Sequence, residues 1–377
     1  MEGEHMEEKE ILKWAKEAAS EFELAGNVKN IRPYGSGHIN DTFLVEGEKD
    51  CILQRMNRNI FTKPEEVMDN ILGVTTFLKK KIAEAGGDEL RETLTVLSAR
   101  NGKPFYRDSQ GEYWRMYYLI EDAVSYDRVE RDEDFYESAL AFGNFQQLLA
   151  DYPAETLHET IPGFHDTKAR YQVFLDAVEA DVCGRAENAL EEIEFFKSRK
   201  ETACVLGDLL AEGKMPLRVT HNDTKLNNIM VDKETRKGIC VIDLDTVMPG
   251  LAVNDFGDAI RFGASTGDED EKDLSKVSCD LRLFRIYTEG FLKGCKGNLT
   301  DMEVAMLPMG AKVMTYENGI RFLTDYLQGD TYFKIHREGH NLDRCRTQMK
   351  LVADMEKKWK ELEEIVRECQ EAESKMR

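Results

Sequence analysis

The residues best suited to chemistry lie in residues 221–228, which we call the catalytic loop, and in a carboxylate that follows it. Asp223 is followed by a cation, Lys225, and by an amide, Asn228, while Asp243 comes after an apolar run. Phosphoryl transfer needs a carboxylate that orients the attacking hydroxyl, a lysine at the γ-phosphate, and an amide and a carboxylate on Mg²⁺. We therefore predict Asp223 and Lys225 as catalytic residues and Asn228 and Asp243 as metal ligands.

A β-hairpin is the element that would bring the two predicted metal ligands together. Short apolar, β-rich runs lie on both sides of a polar turn at residues 233–238, a pattern typical of a hairpin. With Asp232 opposite Ile239, the register places Asn228 opposite Asp243, and the Cβ atoms of such pairs are about 5 Å apart. The oxygens of both side chains suit Mg²⁺ that carries nucleotide phosphates. The alternative is a capped turn whose polar side chains bond only the local backbone.

Two further aspartates near the hairpin have open roles. Asp255-Phe256-Gly257 has the letters of a kinase metal-binding tripeptide, but no apolar strand returning from the catalytic loop comes before it. We expect Asp255 either to cap the helix from Phe256 to Phe262 or to bond the catalytic-loop backbone. Asp245 either binds a second metal or orients its neighbours.

The composition describes a globular chain and excludes several classes of partner. The 377 residues are 41% apolar and carry a formal net charge of −21, which argues against binding of nucleic acid. No run approaches the ~20 apolar residues of a membrane span, and residues 1–10 lack the apolar core of a signal peptide. The eight cysteines form no C-x-x-C pair, as expected of a reducing compartment. We predict a cytoplasmic protein, monomeric or weakly dimeric, with no nucleic-acid or membrane partner.

The order of predicted elements indicates two lobes. Strand candidates dominate the first third of the chain, at residues 30–34, 41–46, 51–55, 94–97 and 113–120, together with a helix that opens at Pro64. Helical periodicity dominates after Asp132. We predict an α+β fold with a small antiparallel-sheet, nucleotide-binding lobe in residues 1–122. A larger, mainly helical lobe for catalysis and substrate binding would follow in residues 123–377. The hinge would lie at residues 121–124, and a long helix would cover residues 347–372.

Four stretches of the sequence resemble a known family of sugar kinases. They are RPYGSGHINDT at residues 32–42, ILQRMN at 52–57, the catalytic loop with residues 241–262, and YENGIRFLTDYL at 316–327. They resemble the N-acetylhexosamine 1-kinases of the aminoglycoside phosphotransferase and choline kinase superfamily. The resemblance implies a protein-kinase-like fold, ATP and Mg²⁺ as cofactors, and phosphorylation of the anomeric O1 of an N-acetylhexosamine or related sugar. The alternative is the hydroxyl of an aminoglycoside, choline or homoserine.

The resemblance also implies a set of nucleotide-binding residues. Gly35, Ser36 and Gly37 would form the loop over the phosphates. Arg55 would replace the strand lysine that contacts the α- and β-phosphates in kinases, which keeps the charge but changes the geometry. Its carboxylate partner would be Asp69, with Glu66 as the second choice. The backbone around Glu121 would hold the adenine.

For the sugar, the resemblance implies five contacts. Asp223 would bond the anomeric hydroxyl, and His38, Phe262, Arg321 and Tyr332 would lie around the ring. An aromatic face beside planar polar donors suits a carbohydrate. A pocket lined by carboxylates would instead favour a cationic acceptor. A protein kinase is disfavoured because the full glycine-rich loop and an A-P-E segment are missing.

Overall fold

The computed structural model describes residues 2–35 and 39–376, with side chains from residue 10 onward. Three predicted site residues, Ser36, Gly37 and His38, lie outside the described residues. The strands are β1 (Asn30–Pro33), β2 (Asp41–Glu46), β3 (Cys51–Arg55), β4 (Tyr106–Arg107), β5 (Tyr113–Tyr118), β6 (Ala123–Val124), β7 (Arg218–Thr220), β8 (Ile229–Asp232), β9 (Gly238–Val241) and β10 (Met248–Gly250). The helices are α1 (Glu2–Ala19), α2 (Pro64–Glu84), α3 (Asp132–Leu148), α4 (Thr167–Ala180), α5 (Leu190–Lys197), α6 (Lys200–Ala211), α7 (Ala252–Gly263), α8 (Leu281–Cys295), α9 (Asp301–Ala305), α10 (Leu307–Gln328), α11 (His340–Lys357) and α12 (Trp359–Met376).

In the described part of the chain, the first strands form an antiparallel sheet in the order β1-β2-β3-β5-β4. Side chains alternate between its faces because successive residues of a strand point to opposite sides. Leu53 and Trp114 are buried against α1, whereas Tyr117 is buried in the core that includes α2. The face of the sheet that carries Tyr117 therefore packs against the rest of the molecule.

The chain crosses from this sheet to a second one within a few residues. The last residue of β5 is Tyr118, and β6 pairs with β8, with Ala123 opposite Asp232. Asp122, between them, has a left-handed backbone (φ 52°). The predicted division of the two lobes between residues 122 and 123 stays a prediction.

Helices dominate the chain after this crossing. The hairpin β8–β9 packs beside α3, and α7 packs on α10. The predicted C-terminal helix is two helices, because α11 ends at Lys357 and α12 begins at Trp359. Lys358, at the break, donates through Nζ to the carbonyl of Cys279 at 2.8 Å. The predicted strand at residues 94–97 is reduced to a bridge between Val96 and Tyr117.

The architecture is thus α+β, with an antiparallel sheet in the N-terminal region and a helical C-terminal region, which confirms the predicted fold class. Of the helices that the structure describes, none is both long enough and apolar enough to span a membrane.

Candidate active site

The catalytic loop is held in place by two buried side chains. His221 accepts the backbone N–H of Asp223 at Nδ1 (3.2 Å), and its Nε2 is 2.8 Å from the carbonyl of Ile242, so the tautomer with the proton on Nε2 satisfies both contacts. The Asp255 carboxylate accepts the backbone N–H groups of His221 (2.9 Å) and Asn222 (2.8 Å). Asp255 therefore bonds the catalytic-loop backbone. It does not cap the helix, because α7 begins at Ala252.

The structure brings three of the predicted catalytic and metal residues into direct contact. Lys225 Nζ lies 2.7 Å from Asp223 Oδ1. Asn228 Nδ2 donates to the carbonyl oxygen of Asp223 (2.8 Å) and to its Oδ2 (3.1 Å). Burial alone would lower the pKa of Lys225, but the charges of Asp223 and Asp258 raise it. Lys225 is therefore a cation beside a carboxylate that is partly open to solvent.

The predicted register of the hairpin is wrong by one residue. Ile229 pairs with Val241, and a bulge between Met230 and Val231 shifts the pairing nearer the turn. Asn228 consequently lies opposite Ile242, whose N–H donates to the Asn228 carbonyl at 2.9 Å. The error begins at the turn, where the Asp232 N–H donates to the carbonyl of Lys237 at 2.9 Å and Asp232 is not opposite Ile239. The bulge then adds a residue to one strand and leaves an error of one residue at Asn228.

Asp243 leaves the hairpin with a left-handed backbone (φ 58°, ψ 57°). Its side chain is exposed, although the surrounding protein removes part of its solvation. Burial and the like charges of Asp245 and Asp223 raise its pKa above the ordinary value, and Arg115 and His221 oppose this effect. A carboxylate crowded by other carboxylates is stabilised by a cation.

The donor atoms here fit the Mg²⁺ that the sequence implies. Asp243 offers carboxylate oxygens, and the Nδ2 of Asn228 is turned towards Asp223, so its Oδ1 faces the other way. Oxygen donors of this kind suit Mg²⁺ that keeps waters and phosphates as its other ligands. Within the described residues, no group of three or more His, Cys, Asp or Glu side chains is arranged to hold a metal. The protein would therefore supply only part of the coordination.

A buried ion pair that the sequence analysis missed joins the sheet to the region after the hairpin. Arg115 on β5 is paired with Asp245, and the two side chains are 1% and 5% exposed. Gln54 Oε1 accepts from Arg115 Nε at 3.0 Å, and Asn40 Nδ2 donates to Asp245 at 2.7 Å. Asp245 thus orients side chains that belong to the N-terminal region. An arginine inside the apolar run YWRMYY was the available signal, since a buried charge needs a partner.

The predicted partner of Arg55 is wrong. Arg55 pairs with Asp41 at 2.6 Å, because the two lie opposite each other in the β2–β3 ladder. Its guanidinium lies 5.9 Å from the centre of the Trp14 ring of α1. It shares a sheet face with Leu53, so it points away from the face that carries Gln54 and Arg115.

The two acids proposed as partners of Arg55 have other neighbours. Asp69 lies 3.6 Å from His158, and Glu66 bonds Lys63 at 2.9 Å. Gly35, at the start of the predicted phosphate loop, has a positive φ of 79°. The carbonyl of Glu121 accepts from Arg91 at 3.4 Å. The nucleotide roles of Asp69, Gly35 and Glu121 stay predictions.

A second missed cluster surrounds a fully buried carboxylate, Glu317 on α10. His165 Nδ1 lies 2.9 Å from Glu317, Thr167 donates at 2.6 Å, and Arg170 is at 3.5 Å. Burial would raise the pKa of Glu317, but the charge and hydrogen bond of His165 and the charges of Arg170 and Arg321 lower it to about 2. His165 Nε2 is also 3.4 Å from the carbonyl of Asn222. This contact places the cluster directly beside the catalytic loop.

The predicted sugar residues within the described chain lie around this cluster and along a neighbouring cleft. The Arg321 guanidinium lies 5.8 Å from the centre of the Tyr332 ring. Phe262 and Thr224 line one cleft with a volume of about 530 Å³, whose lining also contains six aspartates and glutamates and four arginines. The Phe262 and Tyr332 side chains are exposed. Glu317 and Arg321 are four residues apart on one helix, so they share a face. That spacing was the signal that could have found Glu317.

Residues 30–276 match the phosphotransferase enzyme family, a stretch that covers well over half of the sequence and contains the catalytic loop. The chain belongs to this family. It is a phosphotransferase by membership.

Solved structures of other proteins share the fold of this chain. An aminoglycoside phosphotransferase from Alicyclobacillus acidocaldarius matches with a TM-score of 0.56 at 11% identity, over 94% of this chain and 96% of that one. The amicoumacin kinase hAmiN, solved with AMP-PNP and Ca²⁺, matches with a TM-score of 0.55 at 12% identity, over 93% of both chains. A choline kinase from Cryptosporidium parvum matches with a TM-score of 0.52 at 13% identity, over 87% and 89%. At these identities the likeness concerns the fold.

Proposed function

We propose that this phosphotransferase transfers the γ-phosphoryl group of ATP to the anomeric O1 of an N-acetylhexosamine or a related neutral sugar. The observation that carries the proposal is the charge of the side chains beside Asp223. These are the cluster around Glu317 together with Arg321, and we call this surface the wall. The carboxylate at its centre, Glu317, is already bonded by His165, Thr167 and Arg170. The groups left for an acceptor there are the guanidinium of Arg321 and the nearby ring of Tyr332, a set that suits sugar hydroxyls.

The same wall argues against a cationic acceptor. Burial lowers the pKa of Arg170, and the charge of Arg321 lowers it further. An aminoglycoside or choline would bring a further positive charge against two guanidinium groups, and like charges at short range in a partly buried site are costly. A sugar hydroxyl accepts hydrogen bonds from the same groups without that cost.

The reaction would use the contacts of the catalytic loop. Asp223 would orient the acceptor hydroxyl and take its proton while the acceptor oxygen bonds to the γ-phosphorus and the bond to the β-phosphate oxygen breaks, which releases ADP. Lys225 would offset the charge of the transferred phosphoryl group. Mg²⁺, held by Asn228 and Asp243, would neutralise the nucleotide phosphates. The use of ATP is supported by the bound AMP-PNP of hAmiN, a kinase of the same fold.

The first test is an acceptor panel with purified protein. We expect ADP release that depends on Mg²⁺ with N-acetylhexosamines and little with aminoglycosides, choline or homoserine, and a product whose phosphorus nuclear resonance is that of an anomeric phosphate. Faster release with an amine than with every sugar would overturn the sugar assignment and leave the kinase assignment in place.

The second test concerns Asp223. Replacing Asp223 by Asn should lower kcat by roughly 10²–10⁴, the usual contribution of a positioned general base, with little change in the KM for ATP. Asp273→Asn is the control for the same chemical change at an exposed site, where the Asp273 carboxylate accepts the backbone N–H of Ser275 at 3.2 Å. Near-normal sugar phosphorylation by Asp223→Asn would end the assignment of Asp223.

A further inference from the structure

A buried carboxylate two turns along α10 from Glu317 holds the loop that carries Tyr332. Asp325 is 3% exposed. Its Oδ1 accepts the backbone N–H groups of Thr331 and Tyr332, both at 2.8 Å. Its Oδ2 accepts the N–H of Phe333 at 2.9 Å and Nδ2 of Asn341 at 2.8 Å. Consecutive backbone N–H groups directed at one anion fix the backbone between them.

The aromatic side chains of this loop lie beside Arg321. The guanidinium of Arg321 lies 5.8 Å from the ring centre of Tyr332 and 5.3 Å from that of Phe333. Asp325 and Arg321 are one turn apart on α10, so the helix that presents the guanidinium also anchors the loop that presents the ring. The loop residue Asp330 adds a second anchor, because its backbone N–H donates to the carbonyl of Asp325 at 2.8 Å.

We propose that Asp325 is a positioning residue for the acceptor: it holds residues 331–333 so that the Tyr332 ring stands beside Arg321. The inference rests on the proposed function, in which Arg321 and Tyr332 contact the acceptor. Tyr332 is 70% exposed, so its own packing does little to fix it. The position of an exposed aromatic ring then depends on its backbone, and Asp325 is the side chain whose carboxylate bonds that backbone at three consecutive residues.

The variant Asp325→Asn isolates the charge because it preserves volume. The remaining carbonyl oxygen of the new side chain can still accept from Thr331 and Tyr332, but its NH₂ group would face the N–H of Phe333 and the NH₂ of Asn341. We expect the KM for the acceptor to rise by roughly tenfold or more, as when a hydrogen bond to a charged group is lost. The KM for ATP should change less than twofold, and backbone amides 331–333 should exchange hydrogen faster.

Tyr332→Ala supplies the second arm. If Asp325 acts through Tyr332, the double variant should have an acceptor KM close to that of Tyr332→Ala alone, because the two changes remove the same contact. Asp273→Asn should leave both KM values unchanged. The inference would be overturned if the fold-changes in acceptor KM of the two single variants multiplied in the double variant. It would also be overturned if the KM for ATP and the KM for the acceptor rose equally, because Asp325 would then only stabilise the lobe.

The two proposals fail in different ways. The wild-type panel tests the sugar, and if it identifies another acceptor, the KM comparison is made with that compound. The exchange of amides 331–333 needs no substrate at all. Unchanged exchange in Asp325→Asn would overturn the positioning role whatever the acceptor is.

Discussion

At the scale of single residues, the charge state of Glu317 shapes the wall beside the catalytic loop. A carboxylate without exposed surface would cost several kcal/mol if it were unpaired. Here a hydrogen bond from Thr167 and the contacts with His165 and Arg170 stabilise the charged form, and the pKa of Glu317 falls to about 2. The same contacts hold the side chains of His165 and Arg170 in place beside the catalytic loop.

Glu317→Gln should therefore show a stability loss that depends on pH. A carboxylate whose pKa is lower in the folded than in the unfolded state stabilises the fold above its unfolded pKa, near 4.5, and this contribution is lost as the pH falls through about 2. The shift corresponds to something on the order of 3 kcal/mol. Urea unfolding of both proteins between pH 6 and pH 2.5 should show the wild-type advantage shrinking with acidity. A gap independent of pH would contradict the charged state.

At the scale of elements, the contact between α7 and α10 sets the distance between the two halves of the candidate site. A Cβ atom on Gly257 would lie 2.3 Å from the carbonyl oxygen of Gly310, and one on Gly310 would lie 2.2 Å from that of Val253. The helix backbones therefore touch, which is possible because glycine carries no side chain. Helix α7 carries Asp255, which anchors the catalytic loop, and α10 carries Glu317, so their spacing fixes the two halves of the site.

Gly257→Ala should destabilise the protein by about 1–3 kcal/mol, the usual cost of overpacking a tight contact, and should lower kcat because α7 must shift. Gly207→Ala is the control: Gly207 is an exposed glycine of α6 whose Cβ would meet nothing within 4 Å. That change should stabilise the protein by about 0.5–1 kcal/mol through helix propensity. Thermal unfolding measures both, and similar shifts in Tm for the two variants would refute the close contact.

At the scale of the whole molecule, the pair between Arg115 and Asp245 connects residues that are 130 positions apart. It links the N-terminal sheet to the segment that follows the hairpin, two residues beyond Asp243. Burial would lower the pKa of Arg115, but Asp245 raises it, so the pair is ionic. A buried pair of this kind contributes more to the unique arrangement of its two parts than to net stability.

Arg115→Met should destabilise the fold by about 3–5 kcal/mol, because it leaves Asp245 as an unpaired buried charge. Adding Asp245→Asn should recover part of this loss, since the charge is then gone. Arg55→Ala is the matched control on the next strand: its pair with Asp41 is partly exposed, so the cost should be at most about 1 kcal/mol. Chemical unfolding of the four proteins tests this, and a double variant less stable than Arg115→Met would exclude the ionic explanation.

The sequence alone determined the features that depend on near neighbours. The bounds of β2 and β3 and the start of α2 at Pro64 were predicted correctly, because alternation and proline geometry are local signals. The contacts among Asp223, Lys225 and Asn228 also fall within six consecutive residues. Side chains so close in sequence stay close in space when the loop that carries them is short.

Only the tertiary structure decided the contacts between distant segments. The position of Asn228 opposite Ile242 depends on where the hairpin turns and on the bulge between Met230 and Val231. The partner of Arg55 depends on which face of the sheet α1 covers. Glu317 and His165 are 152 residues apart, and no spacing rule relates them. Charges paired over such distances are selected by the packing of whole elements, since burial makes an unpaired charge costly only after the chain has folded.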